Sequence, residues 1–262
     1  MFGHQRNRTV LFPLYRYSIN IMQQKTDAIV LKLQKFKDNA SILHLYTREL
    51  GRTSLILYGA QSKKKGNVIA YLHPLSIISI DVNIRNNKEL NIIHEVKEED
   101  STMDLLFNPI KSAIAFFIAE VLLQVLRTNE RDCLLFDFIR NSILILNHET
   151  KKLGNFHIAF LLRLSRFLGF QPTFENSLSY SFFDLKQVEF TSRQPAHPHF
   201  LQFDDTKKMF LILRMNYRNF HLFQFTKAER SEVIDKILEY YKIHIQNFGT
   251  LKSVYVLKEL FE

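Results

Sequence analysis

The sharpest chemical signal in this 262-residue chain is Gly59-Ala60-Gln61-Ser62-Lys63-Lys64-Lys65-Gly66, three lysines bounded by glycines. Ammonium groups on a loop neutralise phosphates by displacing condensed counterions. They carry no base preference of their own. A solvated loop that keeps the protein soluble is the bland reading of the same residues. Arg52, Lys35, Lys37, Arg85 and Lys88 fall on neighbouring strands or turns and extend the candidate patch. Tyr46 and Tyr58 offer rings on which bases stack, although each also suits a barrel rim or core.

Other constellations are weaker. Arg163 and Arg166 share a helix face at i, i+3 spacing, and Lys207, Lys208 and Arg214 lie on a later helix; solvated faces are the ordinary reading of such groups. His197 and His199 form a His-Pro-His pair with no Cys or carboxylate pattern to complete a metal set. Glu98, Glu99, Asp100 and Asp104 have the charge for a metal-dependent nuclease, but they read as a solvated linker without a strand framework. The single cysteine, Cys133, lies in an apolar run and reads as core. One thiol excludes an internal disulfide and a multi-cysteine zinc site. There is no Walker loop, dinucleotide fingerprint or nucleophile elbow, so no catalytic residue, metal or cofactor is assigned.

The formal net charge is +9, which suits a polyanionic partner. The excess is not a tail effect. Residues 1–22 carry three arginines and no acid, residues 23–100 twelve basic against nine acidic groups, and residues 101–262 twenty against seventeen. Residues 1–22 read as a basic arm or a mis-assigned start, with Met22 opening a cleaner segment. The most apolar stretch, Ile110 to Leu126, is interrupted by Lys111, Glu120 and Gln124 and fits a core helix better than a membrane span.

The elements that must position these residues change character near residue 100. Thr26–Leu33, Ser41–Thr47, Arg52–Tyr58, Leu75–Val82 and Leu90–Val96 alternate or run apolar as short strands, with a turn at Glu49-Leu50-Gly51. Leu43, Leu45, Leu55 and Leu57 point inward, and Arg52 points out. Five strands in so short a span predict a small closed barrel at 23–100, an OB-fold or an SH3-like barrel by periodicity alone. Beyond the acidic boundary, residues 101–262 turn helical. Asn108-Pro109 opens a helix to about Arg127. Others span about Glu130–His148 and Asn155–Leu168, the latter stopped by Gly169. Residues 180–191 suggest a hairpin. Asp204 or Asp205 is expected to cap a helix ending near Met215, Thr226 to Glu229 has capping-box spacing, and Thr250 is expected to cap a last helix ending at Leu260. The fold class is therefore α+β and multidomain: a β-barrel, then a mainly helical domain with a small hairpin.

Several segments together resemble the RecO family. They are Thr26-Asp27-Ala28-Ile29-Val30-Leu31, Ile42 to Thr47 with Glu49-Leu50-Gly51, Gly59 to Lys63, and Leu72-His73-Pro74-Leu75. Phe160 to Phe170 with Gln171-Pro172, and Leu251 to Lys258, are similar to the family's later helices. No single motif is diagnostic; order and spacing over residues 23–262 make the case. The resemblance implies an OB-fold barrel and a helical domain. It implies binding to single- and double-stranded DNA, annealing of complementary strands, and partnership with RecR and single-stranded DNA-binding protein. It also implies help in loading RecA during gap repair, and a cytoplasmic protein that joins the nucleoid during repair. The acidic, apolar tail of single-stranded DNA-binding protein would then be held by the helical domain, on faces bearing Arg163, Arg166, Lys207 or Arg214. Many relatives carry a four-cysteine zinc module after the Gly-aromatic-x-Pro segment. Residues 175–199 hold no cysteine, so the chain is similar to the zinc-free, Bacteroidetes-type branch. An RNA-binding OB-fold protein acting on tRNA or rRNA is the alternative, because phosphate contacts do not read the sugar. A membrane-surface role for the basic arm is a third reading.

Overall fold

The computed structural model describes residues 21–59, 68–85, 90–172 and 181–260. Its first half is a closed barrel of strands β1 (Ile21–Lys37), β2 (Ala40–Thr47), β3 (Gly51–Tyr58), β4 (Ile77–Arg85) and β5 (Asn91–Asp100). The order round the barrel is β1-β2-β3-β5-β4, an OB-like arrangement in which β3 and β5 run parallel and the other pairs antiparallel. The 17-residue β1 closes the circle by serving two neighbours. Its first part pairs with β4 and its later part with β2, and bulges after Val30 and Lys35 supply the bend.

Side-chain alternation divides the strands between two cores. Ala28, Val30, Leu43, Leu45, Leu55, Leu57, Ile80 and Val82 fill the barrel, which Val68 and Leu72 help to close. Ile29, Leu31, Tyr46, Leu75 and Ile77 point the other way into the core of the helical domain. That domain holds α1 (Met103–Phe107), α2 (Pro109–Val125), α3 (Cys133–His148), α4 (Phe156–Phe167), α5 (Phe203–Ile212), α6 (Lys227–His244) and α7 (Ser253–Leu260). A small sheet of β6 (Phe182–Asp184), β7 (Glu189–Thr191) and β8 (Phe200–Leu201) completes it, in the order β7-β6-β8.

Several local signals act as expected. The Asn108 side chain accepts from the amides of Ile110 and Lys111 ahead of Pro109. Gly169 takes φ +84° just after α4. Thr226 and Glu229 form a reciprocal capping box at the start of α6. The polar residues that interrupt α2 have structural partners. Buried Lys111 donates to the Asn147 carbonyl at 2.5 Å and lies 3.5 Å from Asp104. Gln124 accepts from the Gly249 amide at 2.6 Å. Glu120 accepts from the amides of Lys252 (2.9 Å) and Ser253 (2.8 Å) and from the Ser253 hydroxyl.

Four expectations are corrected. Glu98, Glu99 and Asp100 belong to β5 rather than to a linker, and Asp100 pairs with Arg140 at 2.5 Å. Asp204 and Asp205 lie inside the first turn of α5, whose N-cap is Gln202. The amides at the start of α7, those of Lys252 and Ser253, are held by the Glu120 carboxylate of α2 rather than by the expected Thr250. Cys133 is partly exposed at the first position of α3, with Arg131 Nε 3.4 Å from its sulfur.

Candidate nucleic-acid interface

The outer face of β1, β2 and β3 is divided in two by the helical domain. In one half, the register sets Tyr46 beside Arg52, and both are taken into the junction. The Tyr46 hydroxyl donates to the Asp132 carbonyl at 3.2 Å, and its ring lies 5.9 Å from that of Phe136. Burial, helped by the nearby Asp132 carboxylate, pushes its phenol well above the usual range. Arg52 donates to the Leu123 carbonyl at 2.6 Å and to the Thr128 hydroxyl at 2.8 Å. These bonds remove Tyr46 from base stacking and tie Arg52, which points out of the barrel as expected, to the helical domain. Three ion pairs reinforce the junction: Arg48 with Asp137, Arg131 with Glu49 at 2.9 Å, and Arg140 with Asp100 at 2.5 Å. Gly51 sits at φ +64°, where a Cβ would lie 2.2 Å from the Glu130 carbonyl oxygen.

The other half is open. Three rows cross its strands: Lys32, His44 and Ser54; Gln34, Ile42, Ile56 and Ile92; and Lys37, Ala40 and Tyr58. His44 Nδ1 is 2.9 Å from the Ser54 hydroxyl. Burial, then the charges of Lys32 and Arg52, hold its pKa below the ordinary value, so it stays neutral near pH 7. Lys32, Lys35, Phe36 and Lys37 are all exposed. The Lys37 ammonium stands 5.3 Å from the Phe36 ring centroid. Arg85 ends β4, its amide bonded to the Asn91 side chain at 2.8 Å. Lys63, Lys64, Lys65 and Lys88 lie outside the described residues. Phe36 is absent from the residues that the sequence singles out, although Lys35-Phe36-Lys37 carries the interleaving of cations with an aromatic that marks it.

The helical domain has a second cationic feature. Ile145, Arg163, Asn216, Tyr217 and Arg218 line an open cleft of about 580 Å³. Arg163 lies 5.5 Å over the Tyr217 ring, and the Tyr217 hydroxyl is anchored to Ser142 at 2.7 Å. Of the expected partner residues, only Arg163 lines this cleft. Arg166 is exposed on the same helix, Lys207 is exposed on α5, and Arg214 packs 5.2 Å over Phe210. Arg218 joins Arg163 across a loop that no local spacing foretells. His197 pairs with Asp184 at 3.2 Å, and its ring is 6.1 Å from that of His199. Among the described residues no group of three His, Cys, Asp or Glu is placed to hold a metal, and no helix is long and apolar enough to cross a membrane.

Comparison with known proteins bears on both halves of the chain. The family profile described as "Recombination protein O N terminal" matches residues 22–101, and "Recombination protein O C terminal" matches residues 106–253. A DNA repair protein RecO of Azobacteroides pseudotrichonymphae is 39% identical over 244 residues, covering 92% of this chain and all of that relative. The DNA repair protein RecO of Bacteroides fragilis is 37% identical over 242 residues, with the same coverage. That of Flavobacterium johnsoniae is 29% identical over 245 residues, again with the same coverage.

Proposed function

This chain belongs to the RecO family of DNA repair proteins, and from that premise we propose that it is a non-catalytic DNA-binding recombination mediator. In this reading it anneals complementary strands and helps RecA load onto single-stranded DNA coated by single-stranded DNA-binding protein. The observation that carries it is an OB-like barrel whose open outer face presents Lys32 and Lys37 beside exposed aromatic and half-buried apolar side chains, with exposed Lys35 at the barrel mouth next to them. Cations on that face lower the repulsion between two phosphate backbones, which is the barrier that annealing must overcome. Arg85 at the end of β4 is assigned to the same interface, and so, from the sequence, are Lys63, Lys64, Lys65 and Lys88.

The helical domain supplies the protein partners. Its cleft pairs two guanidinium groups, Arg163 and Arg218, with the apolar surfaces of Tyr217 and Ile145. That combination suits the acidic, apolar-ended tail of single-stranded DNA-binding protein. Arg166, Lys207 and Arg214 stay candidates for the wider contact with this tail or with RecR. The setting is the cytoplasm, at the nucleoid during repair.

The test is annealing of complementary oligonucleotides pre-coated with single-stranded DNA-binding protein. The full chain should accelerate duplex formation, and the acceleration should fall as salt rises. No acceleration at low salt would refute the mediator reading. A preference for structured RNA over DNA in competition would favour an RNA-binding protein instead.

A further inference from the structure

We infer that Phe36 and Tyr58 form a base-stacking platform that gives this barrel its preference for single strands over duplex. The inference rests on the DNA-binding reading above and assigns particular residues to it. Phe36 is 45% exposed and Tyr58 44% exposed, unusual values for aromatics on strands whose other large side chains are mostly covered. The strand register brings them to one rim. Lys37 pairs with Ala40 on β2, and Ala40 pairs with Tyr58 on β3. The register shift between Lys35 and Lys37 makes Phe36 the extra residue of a bulge beside Lys37. Both residues therefore belong to the outer face, their backbone positions about 10 Å apart by two inter-strand spacings, with the small Ala40 of β2 at the position between them.

The surroundings fit single-stranded nucleic acid rather than a protein surface. Ile42 and Ile56 continue the apolar strip inward from the rim, and Lys32 and Lys37 border it on β1, with exposed Lys35 between them at the barrel mouth. The three cross-strand rows contain no carboxylate; the nearest in sequence is Asp38, in the turn after β1. Rings on a basic groove hold unpaired bases with little regard to sequence, because every base has a π-face. In a duplex those faces are already stacked, so the same rings gain nothing from it. The lysines serve both forms, whereas the rings serve only one.

The chain contains no tryptophan, so Phe36→Trp and Tyr58→Trp each install a single emission reporter. An oligo(dT) strand is expected to quench each reporter, and a duplex of equal length is expected to leave it unchanged. The double variant Phe36→Leu/Tyr58→Leu keeps the apolar bulk and every lysine. It should lose oligo(dT) affinity by about 5- to 150-fold per ring. Its duplex affinity and the salt slopes should stay as in the unmodified chain, since no cation has gone. The ring-preserving variant Phe36→Tyr/Tyr58→Phe should bind oligo(dT) normally. Unchanged oligo(dT) affinity in the double leucine variant, or an equal loss for single strand and duplex, would overturn the stacking assignment. If the unmodified chain bound neither polymer, the DNA reading itself would fall, a result distinct from a failure confined to the leucine variant.

Discussion

Replacing Arg52 by alanine separates this structural cation of β3 from the β1 cations proposed to bind DNA. Its guanidinium holds the Leu123 carbonyl, which lies in the last turn of α2 where carbonyls lack intrahelical partners, and also the Thr128 hydroxyl. A hydrogen bond from a charged donor contributes about 1.5–3 kcal/mol, and the partial exposure of this one argues for the lower part of that range. Placing the charge at a helix C-terminus adds about 0.3–1 kcal/mol. Arg52→Ala should therefore cost about 2–3 kcal/mol. With a urea dependence near 3 kcal/mol per M, the midpoint falls by about 0.7–1 M. DNA binding should be affected differently. The log–log salt slope for a single-stranded oligonucleotide, measured by fluorescence anisotropy, should match that of the unmodified chain. By contrast, Lys35→Ala/Lys37→Ala should leave the urea midpoint nearly unchanged and flatten the slope by about 0.7 for each phosphate no longer neutralised. An Arg52→Ala protein with an unaltered midpoint and a slope reduced by about 0.7 would refute the junction assignment and return Arg52 to the interface.

Three further outcomes are expected. Glu120→Ala should cost about 1–3 kcal/mol by releasing the first amides of α7, with Glu120→Gln intermediate, as read by urea denaturation. Burial opposes ionisation of Glu120, but the Ser253 hydroxyl and the amides of Lys252 and Ser253 outweigh it and depress its pKa below 4.5. The gap between the unmodified chain and Glu120→Gln should thus be full above about pH 4.5 and close as pH falls through the lower folded value; a gap constant to about pH 3 would contradict this. Gly51→Ala should be severely destabilising, because the new methyl meets the Glu130 backbone at a positive φ; a normal thermal midpoint would show that this close approach is relieved at no cost. Neutralising Lys63, Lys64 and Lys65 together should weaken DNA binding and flatten its salt slope, and an unchanged slope in a folded triple variant would exclude this loop from the interface.

What is legible in the sequence is what depends on neighbours in the chain. The Asn108-Pro109 start, the Thr226 and Glu229 box and the Gly169 stop are each complete within a few residues, so their chemistry is visible in a line of text. The inward leucines of β2 and β3 follow from strand alternation alone. The roles of Arg52, Tyr46 and Glu120 are not legible in this way because their partners are distant: Arg52 meets Leu123, Tyr46 meets Asp132 and Glu120 meets Ser253. Alternation correctly puts Arg52 on the outside of the barrel, but it does not say that half of that outside is covered by a second domain. The pairing of Arg163 with Arg218 is hidden for the same reason. Phe36 is different, since its lysine-flanked position is local and readable; its exposure follows from a bulge, which periodicity smooths over.

The division of β1, β2 and β4 between two cores has a consequence for the order in which the protein is made. The barrel strands leave the ribosome first and close largely through pairings among near neighbours in sequence. Until α2 and α3 follow, the barrel presents Ile29, Leu31, Tyr46, Leu75 and Ile77 as a bare apolar strip. A nascent chain from which β5 has emerged but α2 and α3 have not therefore has a formed interior and an unfinished exterior, the condition in which chaperones bind and chains aggregate. Slowing translation when β5 has emerged and α2 has not should lower soluble yield more than slowing it when only α7 is missing, because the strip left bare in the first case is larger.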